Sequence, residues 1–211
     1  IYFSKRANYK RIIYMDKLKA LNTYIETTKR EILEGKNISP HTISEKILSI
    51  WGVKEPPVPI IEILKALGFR IFEQEYKEED RELSGFIAID NEYRNKFGTD
   101  KIISLNTADN QGHKRFTLAH ELSHYIFDFN PRVMASYSNP YITYEADKPI
   151  EKDANRFAAN LLMPEKIFIK EYKRLKEEGL GLYDIVGKLS EEFLVSAKAI
   201  EKRFVEVGIN G

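Results

Sequence analysis

Cysteine is absent from the 211 residues of this chain, which excludes disulfide bonds, cysteine nucleophiles and zinc sites built from thiolates. No apolar run is long enough to span a bilayer. The charges almost cancel, leaving a net charge of +1, so the composition gives no global argument for binding nucleic acid or a membrane. Histidine is scarce, with four residues. A chain without cysteine fits a reducing cytoplasm, and we expect that location.

The composition that remains is that of a globular protein. Hydrophobic residues make up 43% of the chain and charged residues 31%, which is enough apolar material for a core. The first 30 residues carry eight Lys or Arg and two Asp or Glu, a local charge of +6, with no apolar stretch typical of a signal peptide. We interpret them as a solvated end rather than a nucleic-acid-binding arm. Met15 is a candidate natural start, with residues 1–14 added upstream.

The positions of proline and glycine predict boundaries that divide the chain into three parts. "KEPPVP" at 54–59 holds three prolines and marks the clearest boundary, so residues 1–55 form an N-terminal helical segment. Residues 56–179 form the central domain. Residues 180–211 contain two short helices joined at "FLVS", with Ser196 as the N-cap of the second, which is typical of a helix-turn-helix-like region.

The central part mixes strands with helices. Three runs, "FRIFEQ" (69–74), "SGFIAID" (84–90) and "KIISLN" (101–106), are rich in β-forming residues and bounded by turn residues. Their short connections favour an antiparallel meander. Helices are predicted on both sides of these strands. The fold class is therefore α+β, with a small antiparallel three-stranded sheet packed on helices.

The chemistry is concentrated in "RFTLAHELSHYIFD", residues 115–128. Residues four apart on an α-helix lie on one face, so His120 and His124 present two imidazoles to the same point. Neutral imidazoles suit zinc. Glu121 lies about 100° around the helix and can accept a proton from an attacking water. This is the H-E-x-x-H pattern of zinc peptidases.

The alternative is an amphipathic core helix that happens to contain two histidines. Phe116, Leu118, Leu122 and Ile126 make the helix apolar on several sides. Polar side chains on such a helix are costly to bury without partners. A metal ion supplies that partner, so we favour the metal-binding interpretation.

A zinc peptidase needs a third protein ligand and one open position. His113 lies two helical turns before His120, about 10.5 Å along the axis, which is too far to share one ion. His41 lies across the proline boundary and is interpreted as a surface histidine. The third ligand is therefore expected to be a carboxylate.

The later helix "PIEKDANRFAANLLMP" offers two carboxylates, Glu151 and Asp153. Glu151 shares a helical face with Asn155, while Asp153 points about 200° away, toward solvent. Glu151 is thus the candidate ligand, and Asn155 is placed to hydrogen-bond the free ring nitrogen of a ligand histidine. Spacing alone leaves open a second role for Glu151, as a first-turn acid stabilised by the helix dipole.

Four motifs in order resemble the ImmA/IrrE family of zinc metallopeptidases: "LSGFIAID", "IISLN", "RFTLAHELSHYIFD" and "EKDANRFAANLLMP". The resemblance covers roughly residues 56–165. The resemblance implies zinc ligands at His120, His124 and Glu151, with Glu121 as the catalytic glutamate. It also implies a zincin-like central domain, 56–179, with a thermolysin-like zinc site. Ser123 stands where many members have glycine.

The resemblance further implies an endopeptidase of narrow specificity that cleaves a helix-turn-helix transcriptional repressor and so relieves repression. The rival hypothesis is a regulatory protein that binds and sequesters a repressor without cutting it. A third is a DNA-binding regulator, which the mixed charges of the C-terminal helices do not favour. Manganese or iron would also suit a site of nitrogen and oxygen ligands.

Two details of the site stay unassigned by the sequence. Three tyrosines, Tyr137, Tyr141 and Tyr144, lie in the loop between the ligand helices and are candidates for stabilising the oxyanion, with loop packing as the alternative. The substrate is expected to add as a strand to an exposed sheet edge, either at 84–90 or at 101–106.

Overall fold

The computed structural model describes residues 2–77, 83–128 and 149–209. This part of the chain contains nine helices and one three-stranded sheet. The helices are α1 (Tyr2–Leu33), α2 (Pro40–Trp51), α3 (Ile60–Ala66), α4 (Tyr93–Phe97), α5 (Gln111–Phe127), α6 (Pro149–Leu162), α7 (Glu165–Glu177), α8 (Leu182–Phe193) and α9 (Ala197–Glu206). The strands are β1 (Phe69–Gln74), β2 (Gly85–Ile89) and β3 (Lys101–Asn106). None of these described helices combines the length and apolarity needed to cross a membrane.

The predicted class, an α+β fold with a small three-stranded sheet packed on helices, is confirmed. The predicted antiparallel pairing needs a correction. The strand order is β1-β3-β2, with β2 antiparallel to β3 but β1 parallel to it. The sheet is therefore mixed, and β3 rather than β2 lies at its centre.

Burial explains why β3 is central. Five of its six residues are buried, whereas β1 buries one and carries Arg70 and Glu73. A strand covered on both faces belongs in the middle, and charged side chains suit an edge. Tyr76, two residues after β1, contacts both other strands: its hydroxyl donates to Ser104 Oγ of β3 at 3.0 Å, and its ring stacks on Phe86 of β2.

The site helix α5 packs tightly against this sheet. Gly85, at the start of β2, makes the approach possible, since a Cβ there would lie 2.6 Å from the Ser104 carbonyl oxygen and 2.7 Å from Thr117 Cγ2. Both distances are shorter than any side chain tolerates. Helix α5 also packs against α6, and α2 packs against the far side of α6. One continuous hydrophobic core results.

The predicted N-cap Ser196 agrees with the observed cap of α9, and α2 begins with a cap of the same kind. Ser39 Oγ accepts from Thr42 N at the start of α2, and Ser196 Oγ accepts from Ala199 N at the start of α9. Two local features were not predicted. Helix α1 begins at Tyr2 rather than near residue 16, and α4 lies between β2 and β3.

The C-terminal helices dock directly on α5. A Cβ on Gly112 would lie 3.0 Å from the Val195 carbonyl carbon and 3.1 Å from Ser196 N. The glycine thus lets the first turn of α5 approach the turn between α8 and α9. This contact fixes the position of α9 relative to the site helix.

A cationic cluster lies where α1 meets α5 and β3. Lys29 Nζ lies 3.7 Å from the centre of the Tyr125 ring, and Lys101 Nζ donates to the Tyr125 hydroxyl at 2.9 Å. That hydroxyl donates to Glu26 Oε1 at 3.1 Å. Burial lowers the pKa of Lys29 to about 8, although Glu26 opposes the shift and Lys101 adds to it.

We expect the free energy of unfolding to rise between pH 8 and pH 10. Below pH 8, Lys29 is charged in both states, and the folded state carries the cost of burying the charge. Above pH 8 the folded state releases this proton first, so the unfolded state binds more protons and stability increases with pH. The expected gain is about 1 kcal/mol, because part of the side chain remains in water. Urea unfolding of wild type and Lys29→Met measures it, and an equal rise in both proteins would contradict the assignment to Lys29.

Candidate metal centre

The helix that carries the two site histidines is well anchored at its N-terminus and along its buried face. Asn110 Oδ1 accepts from His113 N at 2.9 Å and caps the first turn. Leu118, Leu122 and Ile126 are buried, so the rotation of α5 about its axis is fixed by core packing. The opposite side of the helix then carries His120 and His124 toward α6.

Three side chains from the two helices converge on one point. His120 Nε2 lies 2.9 Å from His124 Nε2. Glu151 Oε2 lies 3.2 Å from His120 Nε2, and Glu151 Oε1 lies 3.3 Å from His124 Nε2. In the described parts of the chain, this is the one group of histidine and acidic side chains spaced to hold a metal ion.

The geometry fits a divalent metal. Ligand atoms about 2.0–2.1 Å from a tetrahedral ion lie roughly 3.3 Å from one another, close to the three separations here. The side chain of His124 is 1% exposed and that of Glu151 is 8% exposed, while that of His120 is 16% exposed. The site is therefore open on the side of His120, as a centre that admits an outside molecule requires.

Each ring also has a partner for its other nitrogen. Asn155 Oδ1 lies 3.2 Å from His120 Nδ1, and Asp128 Oδ2 contacts His124 Nδ1. Both partners accept, so each Nδ1 carries the proton and each Nε2 keeps its lone pair for the common point. Such partners fix the tautomer and orientation of ligand histidines.

The fourth side chain, Glu121, lies beside this point but is not among the three converging groups. It is 8% exposed. Burial raises the pKa of its carboxyl, although His124 and His120 act to lower it. The backbone of Ile87 in β2 hydrogen-bonds to the carboxylate. Glu121 is thus held between the triad and strand β2, in surroundings that make a carboxylate a stronger base.

The carboxylates around His124 offset the effect of burial on the pKa of its imidazole. Burial alone would lower the pKa of His124, but the hydrogen bond to Asp128 and the charges of Glu121 and Glu151 raise it above its ordinary value. This negative environment favours a cation at the ring, whether a proton or a metal ion.

The other candidates lie away from the triad. His113 Nε2 lies 2.7 Å from Ser84 Oγ, and His41 is exposed beside Glu45. Asp153 is half-buried and pairs with Arg156 at 3.6 Å. Tyr137, Tyr141 and Tyr144 lie outside the described residues.

Sequence reasoning missed Asp128. It follows His124 by four residues, so it stands one helical turn further on the same face. That spacing was a readable signal, equivalent to the one that identified the histidine pair. The acid lies at the C-cap of α5, where the helix ends.

The chain is similar to a known protein family and to a solved structure. The family model described as the IrrE N-terminal-like domain, a peptidase family, matches residues 64–205. Among solved structures, a Mycobacterium tuberculosis transcriptional regulator shares the fold, with a TM-score of 0.52 and 14% sequence identity. The alignment covers 89% of this chain and 51% of that regulator, so the chain spans about half its length. No curated protein sequence matches the chain.

The match to the family model includes both helices that carry the triad and extends from the end of α3 into α9. It covers well over half of the chain. The ImmA/IrrE resemblance inferred from the four motifs is thereby confirmed. The chain belongs to the IrrE N-terminal-like family of metallopeptidases.

Proposed function

We propose that this protein is a zinc-dependent endopeptidase. The observation that carries the proposal is the meeting of two imidazole nitrogens and one carboxylate within 3.3 Å, next to a second carboxylate, the buried one of Glu121. A site that only stabilised the fold would have no use for that extra base. Zinc is proposed from the ligand set of two histidines and one glutamate, which manganese or iron would also accept.

The proposed chemistry divides between the triad and Glu121. Zinc, when bound, supplies the Lewis acidity that polarises a peptide carbonyl and makes a nearby water more acidic. His120, His124 and Glu151 would hold the ion. Glu121 takes a proton from the attacking water and returns it to the departing amine. The raised pKa of Glu121 suits both proton transfers, because a carboxylate with a lower pKa would accept the proton less readily.

Strand β2 is the proposed docking edge for the substrate backbone. Of the two strands considered from the sequence, β3 is central, whereas β2 lies at the edge of the described sheet. Ile87 of β2 also contacts Glu121. A peptide added as a strand to β2 would therefore pass the catalytic carboxylate.

The proposed substrate is a helix-turn-helix transcriptional repressor, and its cleavage would relieve repression in the cytoplasm. Members of the ImmA/IrrE family act on such repressors, which supports this choice. The proposed peptidase unit spans residues 56–179, with the helices of residues 180–211 serving substrate recognition. Direct DNA binding is not proposed.

The experiment is incubation of the purified protein with helix-turn-helix repressors encoded nearby, followed by intact-mass spectrometry. We expect one cut that disappears with chelator and returns when zinc is added back. Stable binding of a repressor without a cut, at full zinc occupancy, would favour sequestration instead. No binding and no cut with any repressor would contradict the proposed substrate class.

Asp128→Asn should weaken zinc binding about 10-fold to 100-fold, because the amide no longer fixes the orientation of His124 as a carboxylate does. Competition with a chromophoric chelator measures this affinity. The matched control is Asp153→Asn, which makes the same charge change on a half-buried acid of α6 outside the triad. Equal zinc affinity for the two variants would contradict the role given to Asp128.

A further inference from the structure

A groove of about 570 Å³ lies between the first turns of α5, the outer face of α6 and helix α9. Its lining includes three apolar side chains, Phe116, Met163 and Val195. Met163 and Val195 are buried, and Phe116 is partly exposed. The exposed part of Phe116 thus offers apolar surface on the groove floor that a ligand can cover.

Basic side chains line both walls of this groove. Lys152 and Arg156 come from α6, and Lys198 and Lys202 come from α9, one turn apart in each helix. All four are exposed. The acid among the lining residues is Glu206, which pairs with Arg203 at 2.8 Å. The groove is therefore positively charged, although the chain as a whole is nearly neutral.

Arg203 adds a buried cation to the same groove. Its side chain is 5% exposed, and its Nε donates to the Met163 carbonyl oxygen at 3.0 Å. Within the described parts of the chain, Nη2 of Arg203 is buried and makes no hydrogen bond. A buried guanidinium N–H without an acceptor is costly, and a carboxylate is the partner that best satisfies it.

The groove adjoins the candidate metal centre. Asn155 is one of its lining residues, and Asn155 Oδ1 lies 3.2 Å from His120 Nδ1. A chain lying along α6 in the groove would reach the open side of the triad within one helical turn. Groove and centre thus form one continuous surface.

We propose that this groove binds an acidic, amphipathic segment of the protein substrate, apart from the residues that are cut. The inference rests on the proposed peptidase function for the identity of the ligand as a substrate. Carboxylates of the segment pair with the four exposed cations and Arg203, while its apolar side chains cover the partly exposed Phe116. This is the helix-in-groove mode of peptide recognition, with charge setting specificity.

The apolar floor favours a polypeptide over nucleic acid. Phosphate contacts need exposed cations and no hydrophobic surface between them. Here the cations flank buried apolar side chains in a cleft between helices. An amphipathic peptide satisfies both features at once.

The test is fluorescence anisotropy with a fluorescein-labelled peptide that carries Glu and Leu at helical spacing. It uses the full chain, once loaded with zinc and once with chelator. We expect the wild type to bind the peptide in both conditions. The double variant Lys198→Glu, Lys202→Glu should bind it at least tenfold more weakly. The control is Lys173→Glu with Lys188→Glu, which makes the same charge change on exposed lysines outside the groove. It should change affinity less than twofold.

Three outcomes would overturn the proposal: no binding to the wild type, an equal loss in both double variants, or tighter binding of a DNA duplex than of the peptide with the same dependence on Lys198 and Lys202. Replacing each Glu of the peptide by Gln should also weaken binding at least tenfold, and unchanged binding would count against it. The anisotropy of the labelled peptide does not depend on cleavage. A failure of the proposed groove binding can therefore be distinguished from a failure of the proposed peptidase function.

Discussion

Glu121→Gln should bind zinc as tightly as the wild type and cleave its substrate about 1000-fold more slowly. The amide keeps the shape of the side chain but cannot accept a proton, so the general-base contribution is lost. The triad atoms on His120, His124 and Glu151 are untouched by the change. Zinc affinity by chelator competition and single-turnover cleavage by intact mass measure the two properties separately.

The control for this variant is Glu177→Gln, which removes one carboxylate from an exposed position near the end of α7. It should cleave at the wild-type rate. The Glu121→Gln variant also distinguishes a peptidase from a protein that only sequesters a repressor. A protein that only binds a repressor would relieve repression equally well with Gln at position 121. Cleavage by Glu121→Gln at the wild-type rate would exclude the proposed role of this residue.

Glu151→Gln should lose more than 100-fold in zinc affinity and, with it, all cleavage at ordinary zinc concentrations. The change removes the anionic ligand and leaves two neutral imidazoles, which hold a divalent ion far less tightly. The wild type should gain about 2.7 kcal/mol of unfolding free energy at a zinc concentration of 100 times its Kd. Urea unfolding with and without zinc should show this gain in the wild type and almost none in the variant.

Glu165→Gln provides the matched control, since it removes an exposed first-turn acid from the next helix. Its stabilisation by zinc should equal that of the wild type. Equal stabilisation of Glu151→Gln and Glu165→Gln would show that Glu151 is a helix-dipole acid only, which is the alternative that spacing left open.

The sequence predicted the site best where the chemistry is local. The placement of His120 and His124 on one face follows from the pitch of the helix alone. Glu151 lies 27 residues further along the chain, so its approach depends on how closely α6 packs against α5. Ala158 and Ala159 of α6 are small and buried, which lets another helix approach closely. The spacing in the sequence ranked Glu151 above Asp153 as the third metal ligand. It could not give the distance between Glu151 and the two histidines.

Sheet order was less predictable, for a physical reason. Alternation of apolar and polar residues indicates that a segment is a strand, but not which neighbour it pairs with. The short connections suggested a meander, whereas β1 and β2 lie on opposite sides of β3 and Tyr76 contacts β3 through Ser104. Burial of β3 on both faces was the deciding factor, and it is a tertiary property.

The basic groove was missed because charge was counted along the chain instead of being placed on surfaces. Lys198 and Lys202 seemed balanced by nearby acids in the sequence. In the fold, Glu191 and Glu192 line a different cleft with Arg174, away from the groove. The two acids lie on α8 and the two lysines on α9, so they face different clefts, and the groove brings the lysines of α9 together with Lys152 of α6.

Anomalous diffraction at the zinc absorption edge, from crystals of the zinc-loaded protein, tests the central claim most directly. The predicted result is one peak per chain, about 2.0–2.2 Å from His120 Nε2, His124 Nε2 and a Glu151 carboxylate oxygen, with Glu121 outside that coordination distance. A fully loaded protein with no peak between these three side chains, or with Glu121 as a direct ligand, would contradict it.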